Sequence, residues 1–186
     1  MAITTVFGGG VHGVGKSSMF ERVAKLRGVA HFSASSLIKG VRAEAISQNS
    51  KVALDVAGNQ DLLVYGFSET TASHKGIVLL DGHFTLINKE GEVTDVPLTT
   101  FEKLHLQALV FVKDDPHKIY DRLIARDKRA PSVSQINEHQ RRELIAAEAV
   151  ARHLDIKLHE IMPGDSGVLN ALITHTEKNL KATDNR

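Results

Sequence analysis

The chain contains no cysteine. Disulfides, thiolate metal sites and a cysteine nucleophile are thereby excluded. It also lacks an excess of either charge: 23 basic against 22 acidic side chains leave a formal net charge of +1. So small a balance supplies no strong field for a nucleic-acid backbone, which argues against a nucleic-acid partner. No apolar run is long enough to span a bilayer. The apolar start of the chain gives way to Gly8, Gly9 and Gly10 before a signal segment could form. These absences make the cytoplasm the expected location and predict no membrane partner. Repeats, low-complexity stretches and linkers are lacking as well. The 186 residues, 42% hydrophobic and 24% charged, are therefore expected to fold as a single domain, 1–186.

What is present is an alternation of strand-length apolar runs with segments of helical periodicity, which predicts an α/β fold with a parallel sheet. Ile3 to Phe7 reads as a short buried strand. A helix follows from Lys16 to Arg27, with Met19, Phe20, Val23 and Leu26 on its inward face. Val29 to Phe32 is a second strand, Ser35 to Gln48 a helix, Val52 to Val56 ambiguous, and Gln60 to His74 a further helix. Ile77 to Leu80 is a continuous apolar strand ending at Asp81. Phe84 to Val96 suggests a small hairpin or irregular excursion around Lys89-Glu90-Gly91. Leu109 to Val112 is the next strand. Asp114-Asp115-Pro116 starts a helix that runs to Arg126. A polar stretch precedes a long helix from Gln135 to Leu154, then a strand over Ile156 to Ile161 and a helix over Val168 to Leu180. Glu138, Arg141, Arg142 and Glu143 read as a solvated helix face. The ten histidines include no His-Glu-x-x-His spacing, so no dedicated metal site is expected from them.

Gly10-Val11-His12-Gly13-Val14-Gly15-Lys16-Ser17 matches the P-loop pattern in full, after a strand and at the opening of a helix. Glycine lets the backbone fold around phosphate oxygens and turn amide N–H groups toward them. The helix start adds its positive dipole end. The pattern assigns Gly10, Gly13, Val14, Gly15, Lys16, Ser17 and Ser18 to ATP phosphates. Lys16 reaches the β- and γ-phosphates, and the Ser17 hydroxyl ligates Mg2+. A P-loop names the ligand and not the reaction.

Two further features bear on the reaction. Asp81 ends a buried strand where its carboxylate would face the phosphate site and support Mg2+ together with Ser17. Arg122 and Arg126 are spaced i, i+4, so they project from one helix face. They offer cations against the charge of a moving phosphoryl group. The following polar segment reads as a short flap that closes over the site. The catalytic set expected from the residues is Lys16, Asp81, Arg122 and Arg126. An alcohol acceptor would want a base, for which Asp81 and His83 are the candidates; an acceptor phosphate would need none.

With these motifs in place, the chain resembles the P-loop nucleoside monophosphate kinases, and most closely the archaeal type of adenylate kinase. His31-Phe32-Ser33-Ala34-Ser35-Ser36-Leu37-Ile38-Lys39 is similar to the segment that opens that family's acceptor site. Asp81-Gly82-His83 resembles its Asp-Thr-His, and Ile136-Asn137-Glu138-His139-Gln140 its Ile-Asp-Glu-His-Gln helix start. The run Asp81-Gly82-His83-Phe84-Thr85 lacks the arginine of the wider family's Asp-Gly-Phe-Pro-Arg. The resemblance implies a three-layer α/β/α fold with a five-stranded parallel sheet. It also implies an acceptor insert over about 33–74 and a short lid over about 126–134. It places Ser33, Ser36, Lys39 and His83 at the acceptor and leaves self-association open. The expected function is transfer of the γ-phosphate of Mg-ATP to a small acceptor, a nucleoside monophosphate by resemblance. The alternative is a P-loop ATPase that serves as a regulatory or assembly switch with no small acceptor.

Overall fold

In a computed structural model, residues 3–47, 58–88 and 91–184 are described. Strand β1 (Ile3–Gly9) is buried from Thr4 onward because it is the middle strand of a five-stranded sheet. The order is β2 (Ala30–Ser33), β3 (Gly76–Asp81), β1, β6 (Leu106–Val112) and β7 (Leu158–Ile161), and every pairing is parallel. Helices cover both faces, which is why the inner strands read as unbroken apolar runs.

Successive residues of β1 point to opposite layers. Val6 packs in one layer with Met19, Phe20 and Val23 of α1 (Lys16–Arg27) and with Leu169 and Ile173 of α7 (Ser166–Asp184). Phe7 packs in the other with Phe101 of the short α4 (Leu98–Glu102) and with Ala146, Ala147 and Val150 of α6 (Val133–Leu154). That second layer also receives Leu37 of α2 (Ala34–Ser47) and Leu63 and Phe67 of α3 (Asn59–Thr71). Phe7, Phe84 and Phe101 form its aromatic centre, with ring centroids 5.1, 5.4 and 5.6 Å apart. The expected three-layer α/β/α architecture and five-stranded parallel sheet are both present.

The excursion after β3 is a small antiparallel hairpin, β4 (Thr85–Ile87) with β5 (Val93–Asp95). The ambiguous segment Val52 to Val56 and the Lys89-Glu90 pair lie outside the described residues. Among the described residues, no helix is long and apolar enough to cross a membrane.

Three departures from the sequence reading, in a helix start, a strand start and a helix face, each have a local reason. Helix α6 starts at Val133 rather than Gln135, because Ser132 caps it. The Ser132 hydroxyl accepts from the Gln135 N–H at 3.2 Å, while the Gln135 side chain accepts from the Ser132 N–H at 2.8 Å. With α5 (Pro116–Asp127) on the other side, only 128–132 remains non-helical in the segment expected as a flap. At the far end of α6, Asp155 adopts a left-handed conformation and the Ile156 N–H returns to the Ala151 carbonyl. Ile156 thus terminates the helix, and β7 begins at Leu158. Leu26 is 74% exposed, not inward, because the buried face of α1 ends with Ala24, one turn earlier.

The capping box gives a direct test. Ser132→Ala should cost about 1 kcal/mol and lower the melting temperature by about 2–4 °C. Ser132→Asn, which restores a capping oxygen, should recover most of the loss. Equal melting temperatures for Ala and wild type would refute the capping role.

Candidate functional site

The loop between β1 and α1 bends tightly where its glycines demand it. Gly10 has φ 145°, and a Cβ there would lie 2.4 Å from the Val112 carbonyl oxygen. Gly13 has φ 81°, and a Cβ there would lie 2.7 Å from Leu123. A side chain at either position would meet both strain and collision. The loop is thus wedged between the end of β6 and the face of α5, and it delivers Lys16 and Ser17 to the first turn of α1.

Lys16 is 5% exposed. Its ammonium donates to the Gly10 carbonyl at 2.8 Å and to Nε2 of His83 at 3.2 Å. Burial lowers its pKa to about 8, although the carboxylates of Asp81 and Glu143 pull in the opposite direction. His83 is the acceptor in that contact. Burial first, then the neighbouring Lys16 charge, holds its pKa down to about 3, so its ring is neutral.

Ser17 donates its hydroxyl proton to Oδ1 of Asp81 at 2.8 Å. Oδ2 of the same carboxylate accepts from Nε2 of His31 at 2.7 Å. Asp81 is 3% exposed and has both oxygens engaged. With its hydroxyl proton directed to Asp81, Ser17 keeps its oxygen lone pairs for a cation. A hydroxyl oxygen backed by a carboxylate suits Mg2+, a hard ion that takes few protein ligands and completes its shell with water and phosphate oxygens. Among the described residues, no group of three or more histidines and carboxylates is arranged to hold a metal by itself.

Arg122 and Arg126 line a cavity of about 260 Å³ together with Lys16, Ser17 and Ser18. Arg122 donates to the Val14 carbonyl of the loop at 3.1 Å and pairs with Asp114. Arg126 donates to Asp127 at 2.7 Å and to His12 at the tip of the loop. Burial, and then the Arg126 charge, lowers the pKa of His12, which keeps its Nε2 available to accept from Arg126. The expected phosphate-side residues are therefore brought together.

The four expected acceptor residues are not. Ser33 and Ser36 border a cavity of about 750 Å³ that also reaches Ser17 and His31. Lys39 and His83 border a separate cavity of about 290 Å³ on the other face of α2. Along α2, Ser36, Gly40 and Glu44, spaced by four, line the larger cavity, while Ser35, Ile38, Lys39 and Arg42 line the smaller one.

Two expectations about carboxylates are corrected. Glu143 is fully buried instead of solvated. Its carboxylate accepts from the N–H groups of Phe84 and Thr85, both at 3.0 Å, and from the Thr85 hydroxyl at 2.9 Å. Burial nevertheless pushes its pKa up against those bonds. Asp114 is not part of the helix start. Asp115 is the cap, accepting from the His117 N–H at 2.8 Å, while Asp114 turns inward to Arg122. Sequence reading quoted His31, Thr85, His139 and Gln140 only inside stretches of family-like sequence and gave none of them a role at the site. The one available signal was the placement of His31 on a strand beside the one that ends in Asp81, and that adjacency is not written in the chain.

The buried ammonium predicts a proton linkage. Phosphate oxygens favour charged Lys16, so Mg-ATP binding should raise its pKa from about 8. Above about pH 8.5, binding should take up close to one proton, and near pH 7 almost none. Calorimetry in buffers of different ionisation enthalpy reads this directly. Zero uptake at the higher pH would show that Lys16 is already fully charged in the free protein.

Comparison with known proteins agrees with this geometry. No curated protein matches the chain. Among solved structures, the chain is similar to a gluconokinase from Sinorhizobium meliloti 1021, with a TM-score of 0.55 and 16% sequence identity over 97% of each chain. That likeness establishes a shared P-loop kinase fold. A family model described as an AAA domain matches residues 9–140, from the end of β1 to the first turns of α6. By that match the chain belongs to the AAA domain family.

Proposed function

We propose that this chain is an ATP-dependent phosphotransferase that moves the γ-phosphate of Mg-ATP to a small acceptor held in the 290 Å³ cavity. The observation that carries the proposal is the contact between Lys16 and His83 at 3.2 Å. Lys16 belongs to the phosphate cavity and His83 to the wall of the second one. The two cavities thus meet at the lysine, where a transferred group would cross. An ATPase switch without an acceptor gives no role to a second cavity at that point.

The lining of the second cavity suggests the acceptor class. Phe7, Ile38, Leu63 and Phe101 supply apolar wall, while Lys39 and Arg42 supply cations. A flat apolar body carrying an anionic group fits such a lining. The available bases point the same way. Asp81 is committed to Ser17 and His31, and His83 is too weak a base at neutral pH to take a proton from an alcohol. An acceptor phosphate is already an anion and needs no base, which favours a nucleoside monophosphate, as the resemblance to archaeal-type adenylate kinase implies. The gluconokinase neighbour makes a sugar acid the rival acceptor.

In this reading Lys16 leaves His83 and the Gly10 carbonyl to meet the β- and γ-phosphates. Ser17 and Asp81 would hold Mg2+, which when bound neutralises charge between those phosphates. Arg122 is already fixed by Asp114 and the loop. Arg126, held by His12 and Asp127 at the rim, is free to swing toward charge that develops in transfer. The absence of a membrane-crossing helix among the described residues is consistent with work in the cytoplasm, where ATP is abundant.

The deciding experiment measures ADP formation from Mg-ATP over a panel of nucleoside monophosphates, nucleosides, sugar acids and small alcohols. A nucleoside monophosphate should raise the rate well above the blank and appear as a diphosphate product. Stimulation by a sugar acid instead would keep the phosphotransferase and replace its acceptor. A flat panel with steady hydrolysis would establish the ATPase switch. Within the same assay, Arg126→Ala should lower turnover by about 10²–10³-fold and leave Mg-ATP affinity within about threefold. Parallel losses in both would make Arg126 a binding residue.

A further inference from the structure

Helix α6 places two buried polar side chains, Gln140 and Glu143, three residues apart on its inner face. Neither lines a cavity described above, and each is spent on backbone of a different loop. Gln140 makes a two-way clasp on Asp114. Its Oε1 accepts from the Asp114 N–H at 3.1 Å and its Nε2 donates to the Asp114 carbonyl at 2.9 Å. Asp114 in turn pairs with Arg122, which donates to the Val14 carbonyl in the phosphate loop. Glu143 takes the N–H groups of Phe84 and Thr85 on its two oxygens and also accepts from the Thr85 hydroxyl. Thr85 completes its bonding with His139, one turn back on the same helix, at 3.0 Å. The residue before Phe84 is His83, the wall of the acceptor cavity.

We propose, on the phosphotransferase reading, that α6 is the part that sets the donor loop and the acceptor loop in register, with Gln140 as the positioning residue for the first and Glu143 for the second. The chemistry supports so specific a use. A fully buried carboxylate is costly unless its lone pairs are taken up, and these are taken by two consecutive amides that would otherwise be buried donors without partners at a chain turn. A carboxylate with two acceptor oxygens answers two adjacent N–H groups; an amide side chain of the same size does not, since its NH2 would face an N–H. Gln140 is the converse case. Its target offers one N–H and one C=O, and a primary amide is the side chain that answers both. The two side chains are matched to their loops by donor and acceptor pattern, and the helix between them fixes the distance.

A crossed pair of variants in the full-length protein tests this. Glu143→Gln should speed amide exchange at Phe84 and Thr85 at least about tenfold and, although it also removes a charge near Lys16, shift the dissociation constant for Mg-ATP by a smaller factor than Gln140→Leu does. Gln140→Leu should weaken Mg-ATP by about tenfold and leave exchange at Phe84 and Thr85 unchanged. With AMP as the acceptor probe, Glu143→Gln should raise its KM more than that of ATP, and Gln140→Leu the reverse. A merely structural role would lower the melting temperature of both variants and shift both readouts together, and that outcome would overturn the proposal. If either variant loses a cooperative melt, Glu143→Asp replaces the first and Gln140→Met the second, with the same expectations. Exchange and Mg-ATP affinity need no acceptor. A failure of AMP alone therefore counts against the nucleotide reading, while an uncrossed pattern in the first two readouts counts against the role of α6.

Discussion

Burying the Lys16 ammonium is the constraint around which the site is arranged. A charge removed from water must be answered by oxygen, by opposite charge or by a shift toward neutrality. All three operate here. The Gly10 carbonyl and His83 take hydrogen bonds, Asp81 and Glu143 supply negative charge from different elements, and the pKa still falls to about 8. Burial first, and then the same lysine, suppresses protonation of His83. The groups of the phosphate site therefore satisfy one another, and on the phosphotransferase reading phosphate oxygens would replace the Gly10 carbonyl and His83 as partners of Lys16. That arrangement stores no covalent strain. It keeps a cation ready in a place where water cannot screen it.

On the phosphotransferase reading, the structure divides at that lysine into a donor side and an acceptor side, and the division follows the sheet. The carboxyl ends of β1, β3 and β2 bring the phosphate loop, Asp81 and His31 to one edge, as parallel α/β sheets do. The loop from Gly82 to Thr85 then leaves that edge and turns under α6. Two substrate loops from different strands need a common reference if a group is to pass between them within bonding distance. A long helix packed across one face of the sheet provides it more rigidly than a surface loop could. The flap segment leads directly into the first turn of α6, so the capped start of that helix lies close to the part of the protein expected to move.

The division of Ser33, Ser36, Lys39 and His83 between two cavities narrows the acceptor question. Resemblance collected these four because they lie in one stretch of family-like sequence or beside it. Helix geometry separates Ser36 from Lys39, and Lys39 shares its cavity with His83, which touches Lys16. Ser33 and Ser36 face a larger space beside His31. What favours a phosphorylated acceptor is the state of the groups that could act as bases: one carboxylate with both oxygens in use and one imidazole too acidic to hold a proton.

The order of helices and strands, the phosphate loop and the pairing of Ser17 with Asp81 were legible along the chain, because each rests on a local signal. Continuous apolar runs mark strands buried on both faces, three glycines beside Lys-Ser mark a loop that folds on phosphate, and a carboxylate at the end of such a strand has one place to point. The burial of Glu143 was not legible. Its neighbours Glu138 and Arg141 are charged and exposed and Arg142 is half-buried, and only the packing of α6 over the Phe84-Thr85 turn makes its position interior. The same holds for His31, whose partner lies fifty residues away on an adjacent strand, and for Gln140, whose two bonds go to backbone that any sequence would carry. By itself the sequence determined which elements form and which loop binds phosphate, since those depend on side-chain period and on backbone freedom near glycine. The tertiary structure alone decided which polar residues became interior, because the cost of burying a charge is set by what the fold brings beside it.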